Sequence, residues 1–200
     1  MIMRIVTAAL LAAIIGCGPA RTSGAVGESV VHGLAGTILA APAKIALASP
    51  AIGADGALAR RYGADGDDIS PPLRWTKLDA AKTYTIVVQD PDSRGRPFVH
   101  WLIWNIPAEH GSLRAGVAKT GAPLDPGGAV QGGNDNGGVG WYGPHPPRGD
   151  PPHHYHFQIF AMDGPLASAP GSDLPTVLGS MRGHVLASGE VVATFARTKD

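Results

Sequence analysis

Charge is scarce in this 200-residue chain. Lys, Arg, Asp and Glu together make 16% of it, against about 25% in an average soluble domain. Sixteen positive side chains face sixteen negative ones, and no basic run exceeds the pair Arg60–Arg61, so the footprint of a phosphate-backbone binder is missing and no nucleic acid partner is expected. Any anionic ligand must be small and held locally. There is one cysteine, which excludes an intramolecular disulfide and leaves the redox compartment unread. No apolar run approaches the roughly 20 residues of a membrane span. No period of 20 to 50 residues recurs, no lysine follows a glycine run as in a P-loop, and no G-x-S-x-G elbow occurs. Glycine and proline, by contrast, are abundant at 28 and 18 residues, while 44% hydrophobic content still supplies a core for one domain.

The amino terminus speaks to compartment. Met1–Arg4 carries one positive side chain, Ile5–Ile15 is an eleven-residue apolar run, and Gly16-Cys17-Gly18-Pro19 breaks it. Residues 1–17 read as a secretory signal. Leu11-Ala-Ala-Ile-Ile-Gly16-Cys17 has the form of a bacterial lipoprotein signal, with the single cysteine at the acylated position; cleavage after Ala20 without lipidation is the alternative. Both place the mature protein outside the cytoplasm, in the periplasm or cell envelope or secreted, and the lipoprotein form adds a membrane partner through its anchor. Residues 18–43, rich in Gly, Ala, Ser and Thr without sustained periodicity, read as a flexible tether, although Val30–Ala40 leaves room for order.

From 44 to 200 the pattern is that of one β domain. Ile45–Leu47, Leu73–Trp75, Thr83–Gln89, Phe98–Ile106, His153–Met162 and Glu190–Ala196 are candidate strands, and a long Pro/Gly-rich loop fills 107–149. A helix is expected from Leu174 to about His184, with Asp173 as cap and Pro175 in its first turn. Strands first and helix late predict an antiparallel sandwich with minor helices.

Strand phase then selects residues. With alternate residues on one face, Tyr84, Ile86, Val88 and Asp90 align, as do Phe98, His100, Leu102, Trp104 and Ile106, and His153, Tyr155, Phe157, Ile159 and Ala161. Each strand sets an ionisable residue in register with large hydrophobes, and because a buried ionisable group must be paired, Asp90, His100, His153 and Tyr155 are expected to meet. The loop 127–143 has eight glycines, whose amides could form an anion-binding nest. Its G-x-G-x-x-G at 138–143 is followed by Pro144, Pro146 and Pro147, so no Rossmann helix can begin there. A rival metal-enzyme reading draws on His145, His153, His154 and His156, the pair 154/156 projecting to one face.

Four ordered motifs carry a resemblance: Asp90-Pro91-Asp92; Val99-His100-Trp101 with Asn105-Ile106-Pro107; Gly140-Trp-Tyr-Gly143-Pro144-His-Pro-Pro147-Arg-Gly149; and His153-His154-Tyr155 with Phe157. With Asp65-Gly66-Asp67-Asp68-Ile69-Ser70-Pro71 and the ending around His184–Ser188, they resemble the phosphatidylethanolamine-binding protein family, in particular its bacterial, Raf kinase inhibitor-like branch. The resemblance implies a β-sandwich with a large central sheet, a smaller sheet and a short C-terminal helix. It implies binding without turnover of a small phosphorylated ligand or phospholipid head group in an anion pocket, with no cofactor; inhibition of a protein partner is a further family possibility. Carried over by motif, Asp90 and Asp92 would shape the pocket, His100 and His153 would donate to phosphate oxygens, Gly143 and Pro144 would form a backbone rim, and Tyr155 would add a hydroxyl. His154 stands where the family commonly has arginine, and Trp141 with His145 would make the rim bulkier. Affinity for a dianion is expected to fall as pH rises through the histidine range near 6.5.

Overall fold

The computed structural model describes residues 33–198. The signal segment, Cys17 and the first part of the expected tether lie outside these residues.

Among the described residues nine strands form two sheets: β1 (Ala43–Lys44), β2 (Leu47–Ala48), β3 (Leu73–Trp75), β4 (Thr83–Asp90), β5 (Phe98–Pro107), β6 (Ser112–Leu113), β7 (Val130–Gln131), β8 (His153–Met162) and β9 (Val185–Phe195). The large sheet runs β1-β9-β8-β4-β5-β7 and the small one β2-β3-β6. Two short helices, α1 (Ala35–Ile38) and α2 (Leu174–Met181), complete the described elements together with a 3-10 turn at Arg60–Tyr62. The large sheet is antiparallel as expected from sequence except at its edge, where the two-residue β1 runs parallel to β9.

Two separate cores explain the burial of the sheet. On one face Tyr84, Ile86, Val88, Tyr155, Phe157 and Ile159 pack against Leu47, Leu73, Trp75 and Leu113 of the small sheet. On the other, Val87, Leu102, Trp104, Phe160 and Met162 pack against Leu174, Val177, Leu178 and Met181 of α2 and Ala35 and Leu39 around α1. Covered on both sides, β4 is buried along its whole length. Its Thr-Tyr-Thr-Ile-Val-Val run suits that position, since β-branched residues pack well on a pleated, doubly covered surface.

The described part of the expected tether, residues 33–43, is folded, which corrects its flexible reading. Ala35 is buried, and its amide donates to Gln89 Oε1 at 2.8 Å while the Gly36 amide donates to Gln158 Oε1. Two glutamines of the sheet thus receive the free N–H groups at the start of α1. The first strand, expected at Ile45–Leu47, is split between the two sheets, and the last begins at Val185, five residues early, where α2 has ended at Met181. Asp173 caps α2 through Thr176 N at 3.0 Å, with Pro175 in the first turn.

The period-2 reading of β5 fails at two bulges. Gln89 pairs with Val99 and Val88 with Trp101, so His100 stands opposite no residue of β4. Between Ile103 and Ile106 a second extra residue is accommodated, with Asn105 in the left-handed region at φ 56. Leu102 and Trp104 therefore pack on the helix side while Trp101, Ile103 and Ile106 pack in the sandwich core, and the expected common face of Phe98, His100, Leu102, Trp104 and Ile106 does not exist.

Candidate functional site

Where β4 ends, β5 begins and β8 begins, a cavity of about 180 Å³ opens, lined among others by Asp90, His100, His153 and Tyr155. Four of the seven residues proposed from sequence thus share one opening. The bulge brings His100 there, turning its ring toward Tyr155, with centroids 5.1 Å apart.

Asp90 is the organising group. Its Oδ1 accepts from the Asp92 amide at 2.8 Å, closing the turn after β4, and its Oδ2 accepts from His153 Nδ1 at 2.7 Å. His100 is held by its own Nδ1, which donates to the Tyr142 carbonyl at 2.7 Å, and its ring stacks on Tyr142. Burial disfavours the charged ring and pushes the His100 pKa down to about 4, so the expected titration near 6.5 does not apply to it. The Tyr155 hydroxyl is buried beside Asp90 without a hydrogen bond of good geometry, and burial followed by the nearby Asp90 charge pushes its pKa up. The expected donation to phosphate is corrected for His100, which burial keeps uncharged. A carbonyl and a carboxylate can only accept, so both Nδ1 atoms carry the hydrogen, and a neutral ring then shows a lone pair at Nε2.

The remaining three residues have other employment. Asp92 turns outward, its Oδ2 accepting from the His154 amide at 2.7 Å and lying 2.8 Å from His154 Nδ1. These bonds hold the Asp92 carboxyl below its usual range against the opposing effect of burial. Gly143 is not a rim: its amide donates to Asp68 Oδ1 at 2.7 Å, and a Cβ there would come within 2.6 Å of Ala64 N and Tyr62 O. Close backbone approach, not ligand binding, accounts for this glycine. Pro144 lies beside it, its carbonyl accepting from the Ala64 amide at 3.0 Å. Trp141 is not on the rim either, because it is buried in the sandwich core and donates to the Tyr62 carbonyl.

The glycine-rich loop spends its amides on itself and its neighbours. Gly132, Gly133, Gly137 and Gly140 donate to backbone carbonyls, and Gly138 donates to Asn134 Oδ1. No nest faces the cavity from these amides; the loop contributes the side chains of Asn136, Tyr142 and His145 instead. Sequence reasoning missed Asn136 and Ser93 as lining residues. Their only signal was position: Ser93 follows Asp90 by three residues, in the turn that Asp90 closes.

The metal reading finds no centre. His145 pairs with Asp65, His153 with Asp90, His154 with Asp92 and His156 with Glu190, so the histidines are distributed one to a carboxylate. Among the described residues no group of three or more His, Cys, Asp or Glu is placed to hold a metal ion. A larger groove of about 970 Å³ runs along 110–126, but its charged pair, Arg114 and Asp125, is engaged with itself.

Comparison with known proteins agrees with this architecture. The family model described as phosphatidylethanolamine-binding protein matches residues 48–196. A UPF0098 protein of Pyrococcus horikoshii is 41% identical over 138 residues, covering 68% of this chain and 69% of that protein. LppC of Mycobacterium tuberculosis, named provisionally as a lipoprotein, is 33% identical over 129 residues, 64% of this chain and 60% of its own. The crystal structure of YbcL from Escherichia coli, described as a member of the mammalian PEBP family, superposes with a TM-score of 0.70 at 29% identity, covering 77% of this chain and 99% of that one.

Proposed function

Since the chain belongs to the phosphatidylethanolamine-binding protein family, we propose that its cavity holds a phosphate-type group, free or as a phospholipid head group, without turning it over, on the extracytoplasmic side of a membrane. The observation that carries the reading is the convergence of Asp90, His100, His153 and Tyr155 from three strands on one small cavity, with the Tyr155 hydroxyl left without a hydrogen bond of good geometry. Leaving such a group unpaired costs about 1–3 kcal/mol, which a ligand oxygen recovers. At about 180 Å³ the cavity is smaller than the roughly 300–1,000 Å³ of drug-sized sites and suits a head group. Binding rather than catalysis fits a phenol whose pKa is raised, the opposite of an activated nucleophile. The extracytoplasmic placement is supported by the Ile5–Ile15 run followed by Gly16-Cys17 and by a relative that bears a lipoprotein name.

Calorimetric titration with O-phosphorylethanolamine tests the site. Tyr155→Phe removes one hydrogen bond to a charged group, worth about 1.5–3 kcal/mol, and should weaken binding roughly 10- to 100-fold while leaving the melting temperature unchanged or higher. His153→Ala should weaken it as well. Unaltered affinity in both variants, or phosphate released above the protein-free rate, defeats the proposal.

A further inference from the structure

Resting on the reading of this cavity as a phosphate-type site, we infer that it takes up its oxyanion together with one proton, so that the bound form is the protonated monoanion or its equivalent with the proton on an imidazole.

The inference comes from counting donors. His100 Nδ1 is committed to the Tyr142 carbonyl and His153 Nδ1 to Asp90 Oδ2, each at 2.7 Å. An uncharged imidazole has only one N–H, so His100, kept uncharged by burial, can offer the cavity only its Nε2 lone pair. Neither Nε2 has a hydrogen-bond partner among the described residues; His153 Nε2 stands 3.9 Å from Asp150 Oδ2, beyond hydrogen-bond range. The remaining lining donors are the neutral hydroxyls and amide of Tyr155, Tyr142, Ser93 and Asn136, and the described lining contains neither lysine nor arginine.

The surrounding charges work against a bare dianion. Asp90 lies in the wall and accepts two hydrogen bonds, while Asp68 and Asp135 also act on the His100 ring. Those last two are each met by a cation from outside the cavity, Lys119 and Arg96. Asp150 faces His153 from the loop before β8, and His145, across the mouth, pairs with Asp65. A phosphate oxygen directed at the His100 lone pair and the Asp90 carboxylate is repelled; one proton placed between oxygen and Nε2 turns a repulsive contact into a charge-assisted hydrogen bond. The burial that keeps His100 uncharged makes the same point: a proton shared between His100 and an oxyanion must come in with the ligand. Both locations of that proton have the same composition, and proton linkage sees only their sum.

A phosphate monoester has its second pKa near about 6, so above neutrality the proton is drawn from the solution. Titration of the full chain with O-phosphorylethanolamine at pH 7.5, in two buffers of different protonation enthalpy, should give heats that differ by about one buffer proton per ligand bound. Affinity should fall about tenfold per unit between pH 7 and 8. Inorganic phosphate and vesicles of phosphatidylethanolamine in phosphatidylcholine, run in parallel, separate the free group from the lipid, and proton uptake with either supports the inference. Binding with identical heats in both buffers and flat affinity from pH 6.5 to 8.5 overturns it while leaving the site intact. Ethanolamine binding more tightly than phosphate also overturns it, because the lone pairs would then serve an ammonium. No binding by any of the phosphate probes defeats the reading of the site itself.

Discussion

His100 shows how one buried side chain ties the site to stability. In the unfolded chain its ring takes a proton near 6.5, whereas in the fold it remains neutral down to about 4. Across that window the unfolded state binds more protons, so stability must fall as pH drops from 6.5 to 4, by up to about 3 kcal/mol at one pKa unit per 1.36 kcal/mol. Asp92 acts at a lower pH: its depressed pKa contributes stability above the ordinary carboxylate range near 3.8 that is lost on further acidification. Urea denaturation at pH 7 and pH 4.5 measures the histidine part. A shallower slope is expected in His100→Gln, and equal slopes in the two proteins refute the assignment.

At the scale of the element, β5 is shaped by its bulges. The first sets His100 outside the ladder and beside Tyr155; the second depends on Asn105, whose left-handed backbone is tolerated by asparagine better than by most residues. The Asn105 side chain also accepts from Leu166 N at 2.7 Å and donates to the Leu166 carbonyl at 3.0 Å, tying the strand to the segment before α2. Asn105→Ala loses both bonds and retains the strained backbone, and should cost about 1–3 kcal/mol in chemical denaturation. A loss below about 0.5 kcal/mol would mean the bulge is held by its neighbours alone. The strand itself was legible from Phe98 to Ile106, because β-branched and aromatic residues crowd there. Its bulges were not: alternation predicts faces only while each residue has an opposite number, and that partner lies on another strand.

Over the whole molecule, the large sheet needs both covers. The small sheet closes the face that carries Asp90 and Tyr155, and α1 and α2 close the other, so residues 33–39 belong to the folded body. Deleting 33–39 removes buried Ala35 and Leu39 and takes from Gln89 its bonds to the Ala35 amide and the Gly33 carbonyl, leaving only Gln158, with an expected loss of at least about 2 kcal/mol. A passive tether would be removed at no cost in stability, which makes the melting temperature of the truncated chain a direct check. These residues read as linker because they are too few to show a period and are small and weakly polar; what orders them is a pair of glutamines 54 and 122 residues away in the chain.

Residue chemistry and local pattern, which belong to short stretches of chain, determined the β class, most strand positions, the Asp173 cap and the core-facing phase of Asp90, His153 and Tyr155, whereas His100 joins them through a bulge that alternation does not reveal. Only the tertiary structure decided which amides and ring nitrogens remain available. The glycine loop's donors are consumed by carbonyls and an asparagine, Gly143 is required by a crossing backbone, and each imidazole has its Nδ1 hydrogen committed before a ligand arrives. The physical reason is that a hydrogen bond is a property of two partners: a sequence names the donor, but the fold alone determines whether an acceptor far along the chain has already taken it.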